Sequence, residues 1–556
     1  MICEKENIEK TKKKEHIDKK ARILPWLFFS LIILTTVWIR YNSLDIPLER
    51  DEGEYAYGGQ ILLQGIPPYK KLYNMKFPGI YAVYAVLMYL FGQTHTGIHF
   101  ALLFVNLIAT IFVYMIARKL YGLTGALTAA ASFAILSVGQ PVQGIFANAE
   151  HFVILPVLVG IFLLLQTNTK SRKYLLFLAG FFLGIGFIIK QHGIFFILFG
   201  AIFLCFEAFW NNQDTAKIRK IILKKTGLFF LGVLIPYLLT CLLLYRAGVF
   251  AKFWFWTMKY VGSYTTQRSL SQAWSTLKIS FSSIFTASPL LWLLAVTGVF
   301  LVFTYKDRKK LVFIIGLFLF SFLAVCPGGF FRPHYFVLVL PVSALLIGLT
   351  IDFLDRLPYK KDMQWLRQWF PITLAVISLT VSLYIQRDFL FKMSLNQIIT
   401  KIYWPNPFNE SLEIARKIKE DCKPNDTIAI MGSEPQIFFY TGLYSASGYI
   451  YMYPLMEEHD FALTMQKELI REVEATKPAY LIFVHNPLSW LEKNNSHTLI
   501  YDWYMEYKKK YKPFGLVEMF GNKSHSYWDQ AIIWPPTAPY WLIIMKRKET
   551  NSSAQG

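Results

Sequence analysis

Four carboxylates fall close together at one place in this chain. Glu49, Asp51, Glu52 and Glu54 occupy the stretch PLERDEGEYAYGG, residues 47–59, directly after a long apolar run, although the formal net charge is +21. A carboxyl group beside a low-dielectric wall holds its proton more tightly than in water, which moves its pKa toward neutrality and suits it to general-base work. Cations suit a complementary task, stabilising a phosphate whose negative charge grows as it departs. Candidates for that task are Lys76 in YNMKFPGIYAVY, Lys190 (beside Gln191) in GFIIKQHGIFF, and Arg332, with His334 and Tyr335, in GGFFRPHYFVLVLP; a further acid, Glu150, stands in GIFANAEHFVILP. A lipid surface accommodates a greasy leaving group. Sugar transfer from a polyprenyl phosphate draws on all three: a base, cations and a lipid wall.

The elements that must position these residues are membrane spans. Hydrophobic residues make up 54% of the 556 and the mean hydropathy is +0.36, above the range of soluble domains. Apolar runs recur at about 20 residues, the length that crosses a bilayer. The fold class read from this is a polytopic α-helical membrane protein. The basic excess then belongs to cytoplasmic loops and does not call for a nucleic acid partner.

Charge sets the threading. Residues 1–21 form a basic tail, expected inside, and the apolar run at 22–41 is too long for a signal-peptide core and lacks a small-residue cleavage site, so it reads as an uncleaved first span. The next apolar stretch, IYAVYAVLMYLFG (80–92), reaches only about 20 Å as a helix, short of the ~30 Å hydrocarbon core. If it does not cross, the basic loops TKSRK (169–173), DTAKIRKIILKK (214–225), KDRKK (306–310) and DRLPYKK (355–361) all fall inside; if it crosses, all move outside. The positive-inside rule favours the first threading. About eleven spans result, near 22–41, 98–117, 121–138, 150–166, 174–189, 191–210, 226–245, 288–305, 311–327, 335–353 and 369–386. Residues 42–97 become an outer loop with two interfacial helices. The first of these, EGEYAYGGQILLQG, has an apolar side at Tyr55, Ile61 and Leu62 and is expected to lie on the membrane surface.

From residue 388 the apolar runs shorten. DTIAIMG (426–432), AYLIFVHN (479–486) and YWLIIMKRK (540–548) read as strands, and 409–422 and 460–477 as amphipathic helices, which predicts an extracytoplasmic α/β domain over 388–556. The five cysteines, Cys3, Cys205, Cys241, Cys326 and Cys422, are scattered and form no CxxC pair, which argues against a disulfide framework or a zinc site.

The acidic pair after the first span, the G-x-P-P-Y that follows, and KFPG with a short helix ending in FG together resemble the GT-C glycosyltransferases. The closest branch contains the protein O-mannosyltransferases and the lipid A aminoarabinose transferase. RPHYFVLVLP and the outer α/β tail also resemble bacterial members of that branch. The likeness covers most of 22–386. It implies a GT-C transmembrane domain at 22–387 and an inverting transfer from a polyprenyl-phosphate sugar to a lipid, glycan or protein acceptor, at the outer face of a bacterial plasma membrane. Carried across by motif, Asp51 matches the base or acceptor-orienting acid, with Glu52 its neighbour. Lys76 matches the lysine that meets the donor phosphate, Lys190 a lysine near the end of a later span, and Glu150 a second outer-loop acid that is often Asp in relatives. Arg332, His334 and Tyr335 sit in a motif that varies. No cofactor is expected, although some GT-C relatives use a divalent ion that Asp51 and Glu150 would have to bridge.

Plainer readings stand beside these. Lys76 can snorkel at headgroups, His334 can satisfy a local hydrogen bond, and Glu49 and Glu54 can simply solvate or orient their interfacial helix. FWFWTMKYVGSYTT (253–266) reads as an interfacial aromatic belt. A transporter or lipid flippase with an outer sensor domain is the competing function. That class carries broken helices and ionisable residues at mid-membrane, whereas here the charges gather at span ends.

Overall fold

The computed structural model describes residues 26–167, 173–210, 214–265, 268–305, 307–358, 363–521 and 523–549. The basic tail at 1–21, the start of the first expected span, Cys3, residues 169–172 of one basic loop and residues 359–361 of another lie outside the described residues. By internal contacts the chain divides into two compact units: Met1–Leu44, His99–Leu239 and Thr265–Lys392 form one, and Asp45–Ile98, Thr240–Tyr264 and Met393–Gly556 the other.

The first unit is helical, and every expected span falls on a helix. Among the described residues four helices are long and apolar enough to cross a bilayer by length and composition alone: His95–Leu120, Gln191–Trp210, Thr215–Arg246 and Pro333–Arg356. The others are shorter apolar helices, among them Trp26–Asn42, Leu123–Leu136, Ala149–Leu165, Tyr174–Ile189 and Trp369–Ile385. Their surroundings differ in the way their sequences require. Leu340–Ile351 is buried throughout, packed between the helices Leu123–Leu136 and Pro289–Leu301, whereas Thr215–Arg246 leaves a broad leucine-rich face exposed. The central packing depends on two glycines: a Cβ on Gly348 would lie 2.5 Å from the Gly125 carbonyl oxygen and one on Gly125 2.6 Å from that of Gly348. Without side chains there, the helices meet backbone to backbone, as lipid-embedded helices do where dispersion must replace the hydrophobic drive.

The helix ends sort into two polar groups. At one, Glu207 binds both Lys225 (2.9 Å) and Lys309, and Asp352 accepts from the Gly122 backbone N–H (2.6 Å) and pairs with Arg356. Lys225 and Lys309 come from two of the basic loops that the threading put on one side, so a shared carboxylate confirms that these two loops do lie together. The other group holds Glu150, Lys190, His334 and Tyr335.

The second unit is built on a six-stranded mixed sheet of order β2-β1-β3-β6-β4-β5. The strands are β1 (Thr427–Met431), β2 (Tyr444–Ser445), β3 (Tyr480–His485), β4 (Tyr511–Phe520), β5 (Lys523–Trp528) and β6 (Tyr540–Arg547). β1 runs parallel to β2 and β3; β6 is antiparallel to β3 (Ile482 opposite Ile544) and to β4, and β4 and β5 form a hairpin. β1, β3 and β6, the expected strands, are apolar and buried; Glu410–Asp421 and Ala462–Thr476 are the expected helices. The β4–β5 hairpin was not expected: its sequence, rich in charge and interrupted by Pro513, sits at the sheet edge, where one side faces solvent and the alternation blurs.

Two expectations about the outer loops are corrected. Arg50–Leu63 does not lie half-exposed on a surface; every residue from Glu52 to Ile61 is buried, between the helix Gly79–Phe91 and the short helix Pro435–Thr441. Gly53 and Gly58 permit it, since a Cβ on the first would meet the Gln436 backbone at 2.5 Å and one on the second the Tyr81 ring at 2.4 Å. Nor is the stretch 253–266 an open aromatic belt throughout, although Trp254 stays exposed. Phe253, Trp256 and Tyr260 are buried, their rings packed against Tyr69, Tyr73, Phe77 and Tyr449. These rings bury most of their area inside the unit, which outweighs the pull of an interface.

Candidate active site

In the second unit the acidic stretch starts a helix. Glu49 is the N-cap: its side chain accepts from the Glu52 backbone N–H at 3.1 Å, and the Glu52 side chain accepts from the Glu49 N–H at 3.0 Å. This reciprocal capping box satisfies two donors that a helix start otherwise leaves unpaired. Two of the four acids are therefore held in the cap, and Glu52, expected at the chemistry, has its carboxylate fully buried there. Burial pushes the Glu49 carboxyl well above the usual range, and the neighbouring charges of Asp51 and Glu52 push it further.

Asp51 and Glu54 are three residues apart and so share a helix face. Between them lies Lys76, whose Nζ is 2.8 Å from Asp51 Oδ1 and 2.7 Å from Glu54 Oε2. The lysine reaches that point because its loop is pinned: Tyr69 O–H donates to the Lys76 carbonyl at 2.6 Å, and Phe77, one residue on, is buried ahead of the Gly79–Phe91 helix that Pro78 opens. The Lys76 ammonium also lies 4.4 Å from the Tyr55 ring centre and 5.9 Å from that of Tyr451. Burial alone would lower its pKa, but the two carboxylates outweigh it and hold Lys76 above the ordinary lysine range. Glu54, with no exposure, is pushed up by burial and brought part way back by Lys76; it also accepts from Tyr81 O–H at 2.6 Å. Asp51 and Lys76 differ from Glu54 in access, with side chains 21% and 22% exposed.

The α/β domain completes this cluster. Tyr451 O–H reaches the Arg50 carbonyl (3.1 Å) and Asp51 Oδ1 (3.4 Å), and burial keeps the phenol protonated at neutral pH. Arg50 anchors the helix start from the other side, pairing with Glu434 at 3.0 Å and donating to the Ser433 carbonyl at 2.5 Å, between the rings of Phe408 and Tyr453.

The remaining candidates gather in the first unit, at one group of helix ends. Glu150, fully buried, stands in the first turn of Ala149–Leu165, where the helix dipole favours an anion. Lys190, at the end of Tyr174–Ile189, forms an ion pair with it and lies 4.2 Å from the Tyr335 ring centre. The His334 and His192 rings flank the same tyrosine at 5.0 and 4.9 Å, and His334 Nδ1 is 3.0 Å from Gln143 Oε1. Arg332 faces the Phe330 ring at 5.8 Å.

Sequence reasoning thus named Asp51 and Lys76 and assigned Glu54 only to solvating or orienting its helix, although its three-residue spacing from Asp51 was the available signal. Tyr81, Gln143 and His192 carried no signal, and Tyr451 is 400 residues from its partner. Among the described residues no group of three or more His, Cys, Asp or Glu side chains is arranged to hold a metal.

Residues 76–240 match the family model of dolichyl-phosphate-mannose-protein mannosyltransferase. No curated protein matches the chain by sequence. Among solved structures, the archaeal oligosaccharyltransferase AglB from Archaeoglobus fulgidus, in complex with an inhibitory peptide and a dolichol-phosphate, is 11% identical, with 92% of this chain and 75% of that one covered and a TM-score of 0.55. ArnT from Cupriavidus metallidurans in the apo state is 14% identical over 94% and 98% of the two chains, TM-score 0.56, and the same protein bound to undecaprenyl phosphate is 15% identical over 93% and 97%, TM-score 0.51. The chain thus shares its fold with AglB and ArnT, and its residues 76–240 are similar to the mannosyltransferase family.

Proposed function

We propose that this protein is an inverting glycosyltransferase that moves a sugar from a polyprenyl-phosphate donor to a hydroxyl or amine acceptor at the outer face of the membrane, with the amino terminus cytoplasmic and the α/β domain outside. The Asp51–Lys76 pair carries this reading: an acid and a cation 2.8 Å apart, each about one-fifth exposed, in a loop that follows the first span. Asp51 takes the proton from the acceptor as its oxygen or nitrogen attacks the anomeric carbon. The bond from that carbon to the phosphate oxygen breaks, its electron pair leaves with the lipid phosphate, and Lys76 stabilises the added charge. Glu54 keeps Lys76 protonated, and Glu52 fixes the helix start through its cap.

Lys190 and Arg332 are further candidates for the phosphate, and Glu150, His334 and Tyr335 for the sugar or acceptor. Two neighbours in fold support a lipid phosphate as the leaving group, one bound to dolichol-phosphate and one to undecaprenyl phosphate. The sugar and the acceptor are to be found by assay. Purified protein incubated with a panel of polyprenyl-phosphate sugars and candidate acceptors is expected to release polyprenyl phosphate, detected by mass spectrometry. Release by Asp51→Asn at the wild-type rate, or none from the wild type with any donor, overturns the proposal.

A further inference from the structure

The helix Leu270–Ala287 joins the helix Pro289–Thr304 through Ser288 alone, and the two axes are bent by 109°. Both belong to the first unit. If Pro289–Thr304 crosses the bilayer, its neighbour runs nearly parallel to the membrane plane. The join sits at a polar crossing: Ser288 and Ser382 hydroxyls are 2.6 Å apart, and Gln386 accepts from the Gln140 N–H at 3.0 Å.

With ~3.6 residues per turn, the side chains of this helix divide into three arcs. One arc is buried against protein: Ser280 donates to the Phe331 carbonyl at 2.9 Å, Ile284 is buried beside it, and Ala273 closes on Gly329, where a glycine Cβ would come within 2.7 Å. Next to it runs an apolar arc, Leu270, Trp274, Leu277, Phe281 and Phe285. Of these Leu270 is 91% exposed, Trp274 61% and Phe281 51%. On the other flank of the apolar arc lies a polar arc of Ser271, Ser275, Lys278, Ser282 and Thr286, interrupted by Ile279, itself 68% exposed. A helix inside a protein core needs one apolar arc. This one has a second, open and roughly at right angles to the first, with the polar arc on its other flank and Gln272 and Ser283 opposite it.

We infer that Leu270–Ala287 is an in-plane membrane helix whose Leu270–Trp274–Phe281 stripe is seated in the acyl boundary of the bilayer leaflet at this end of the bundle. The occupant is lipid because the helix continues directly into an apolar helix with an exposed face of its own, Leu293, Val296 and Phe300, and lies across its axis. The arrangement satisfies each arc: one edge against the bundle, one face in acyl chains, one in water. Ser269 secures the start with a reciprocal cap to Gln272, so the stripe begins at the first helical residue. The inference does not depend on the catalytic reading.

Spin labels test it on the full chain in nanodiscs, at single cysteines replacing Leu270, Trp274 and Phe281 or Ser271, Ser275 and Ser282 after the five native cysteines are removed. The stripe positions are expected to be open to oxygen and closed to a water-soluble nickel reagent, and the serine positions the reverse. Equal nickel access at all six positions overturns the inference, as does a stripe closed to both reagents, which would mean a second copy or another segment covers it. The unaltered chain gives an independent readout: in nanodiscs with a lipid carrying a photoactivatable acyl chain, adducts are expected on the tryptic peptide Ser269–Lys278. Their absence there, with adducts elsewhere in the chain, rejects lipid contact.

Discussion

Asp51→Asn separates chemistry from folding with unusual clarity, because the two costs differ several-fold. The substitution removes one of two carboxylates from Lys76 and leaves Glu54 in place at 2.7 Å. Asp51 is partly solvated, so its ion pair is worth about 1 kcal/mol or less to stability. The capping box uses Glu49 and Glu52 and is untouched. Against a typical stability of about 5–15 kcal/mol, such a loss leaves nearly all the protein folded. General-base catalysis contributes about 10²–10⁴ in rate, which corresponds to about 3–5 kcal/mol of barrier at ~1.36 kcal/mol per decade. The expected result is therefore normal expression, a melting temperature close to wild type, retained donor-lipid binding and turnover lower by at least about a hundredfold. The assay is the release of polyprenyl phosphate by purified protein, followed by mass spectrometry, beside thermal unfolding of the same preparation. Wild-type turnover by the folded variant refutes the role given to Asp51. A loss of turnover matched by a loss of folded protein refutes the argument that the pair is energetically minor.

Lys76→Met leaves Glu54 buried without its cation, and stability is expected to fall by about 3–5 kcal/mol at neutral pH. Adding Glu54→Gln recovers most of that loss without recovering turnover; a double variant no more stable than the single one refutes the account of Glu54. Tyr451→Phe removes a donor to the Arg50 carbonyl and to Asp51, at a cost of about 1 kcal/mol, with turnover expected to drop up to about tenfold and donor binding unchanged. Glu49→Gln keeps an oxygen for the cap but removes a titrating group whose folded pKa is raised, chiefly by burial. A raised carboxyl pKa means the wild type has its full stability at low pH and loses it as pH climbs above about 4 toward the folded value. Denaturation curves across that range are expected to show the variant gaining on wild type as pH rises; a constant difference shows that Glu49 does not titrate as argued.

How legible the molecule was depended on the range over which each feature is encoded. The spans were legible because each is a continuous apolar run, and each falls on a helix. Asp51 and Lys76 came from two short motifs joined by a resemblance. The burial of Arg50–Leu63 was not legible, because its glycines and tyrosines look amphipathic until Gln436 and Tyr81 are known to press on Gly53 and Gly58. The same holds for 253–260, where aromatic residues that suit an interface also suit a core. Local patterns state that a side chain wants to leave water, and only the fold decides whether lipid or protein receives it.

The acidic stretch that seemed out of place in a basic chain divides its charges by access. Glu49 and Glu52 close the helix cap, Glu54 is sealed against Lys76 and Tyr81, and Asp51 alone of the four keeps substantial contact with solvent. Lys76 with Glu54 and Asp51 carries a net charge of −1 when all three are ionised, and the deep carboxylate fixes where the ammonium can stand. A single Asp–Lys pair would be free to separate when a phosphate approached. With Glu54 behind it, Lys76 can release Asp51 and still remain in place and charged. The more exposed of the two partners is Asp51, which is the one the proposed chemistry would have Lys76 exchange for an incoming phosphate. The test of that division is the Glu54→Gln variant alone: it retains Asp51 and Lys76, and we expect donor binding to weaken as the lysine loses its fixed anchor, whereas undiminished binding shows that Asp51 suffices to hold it.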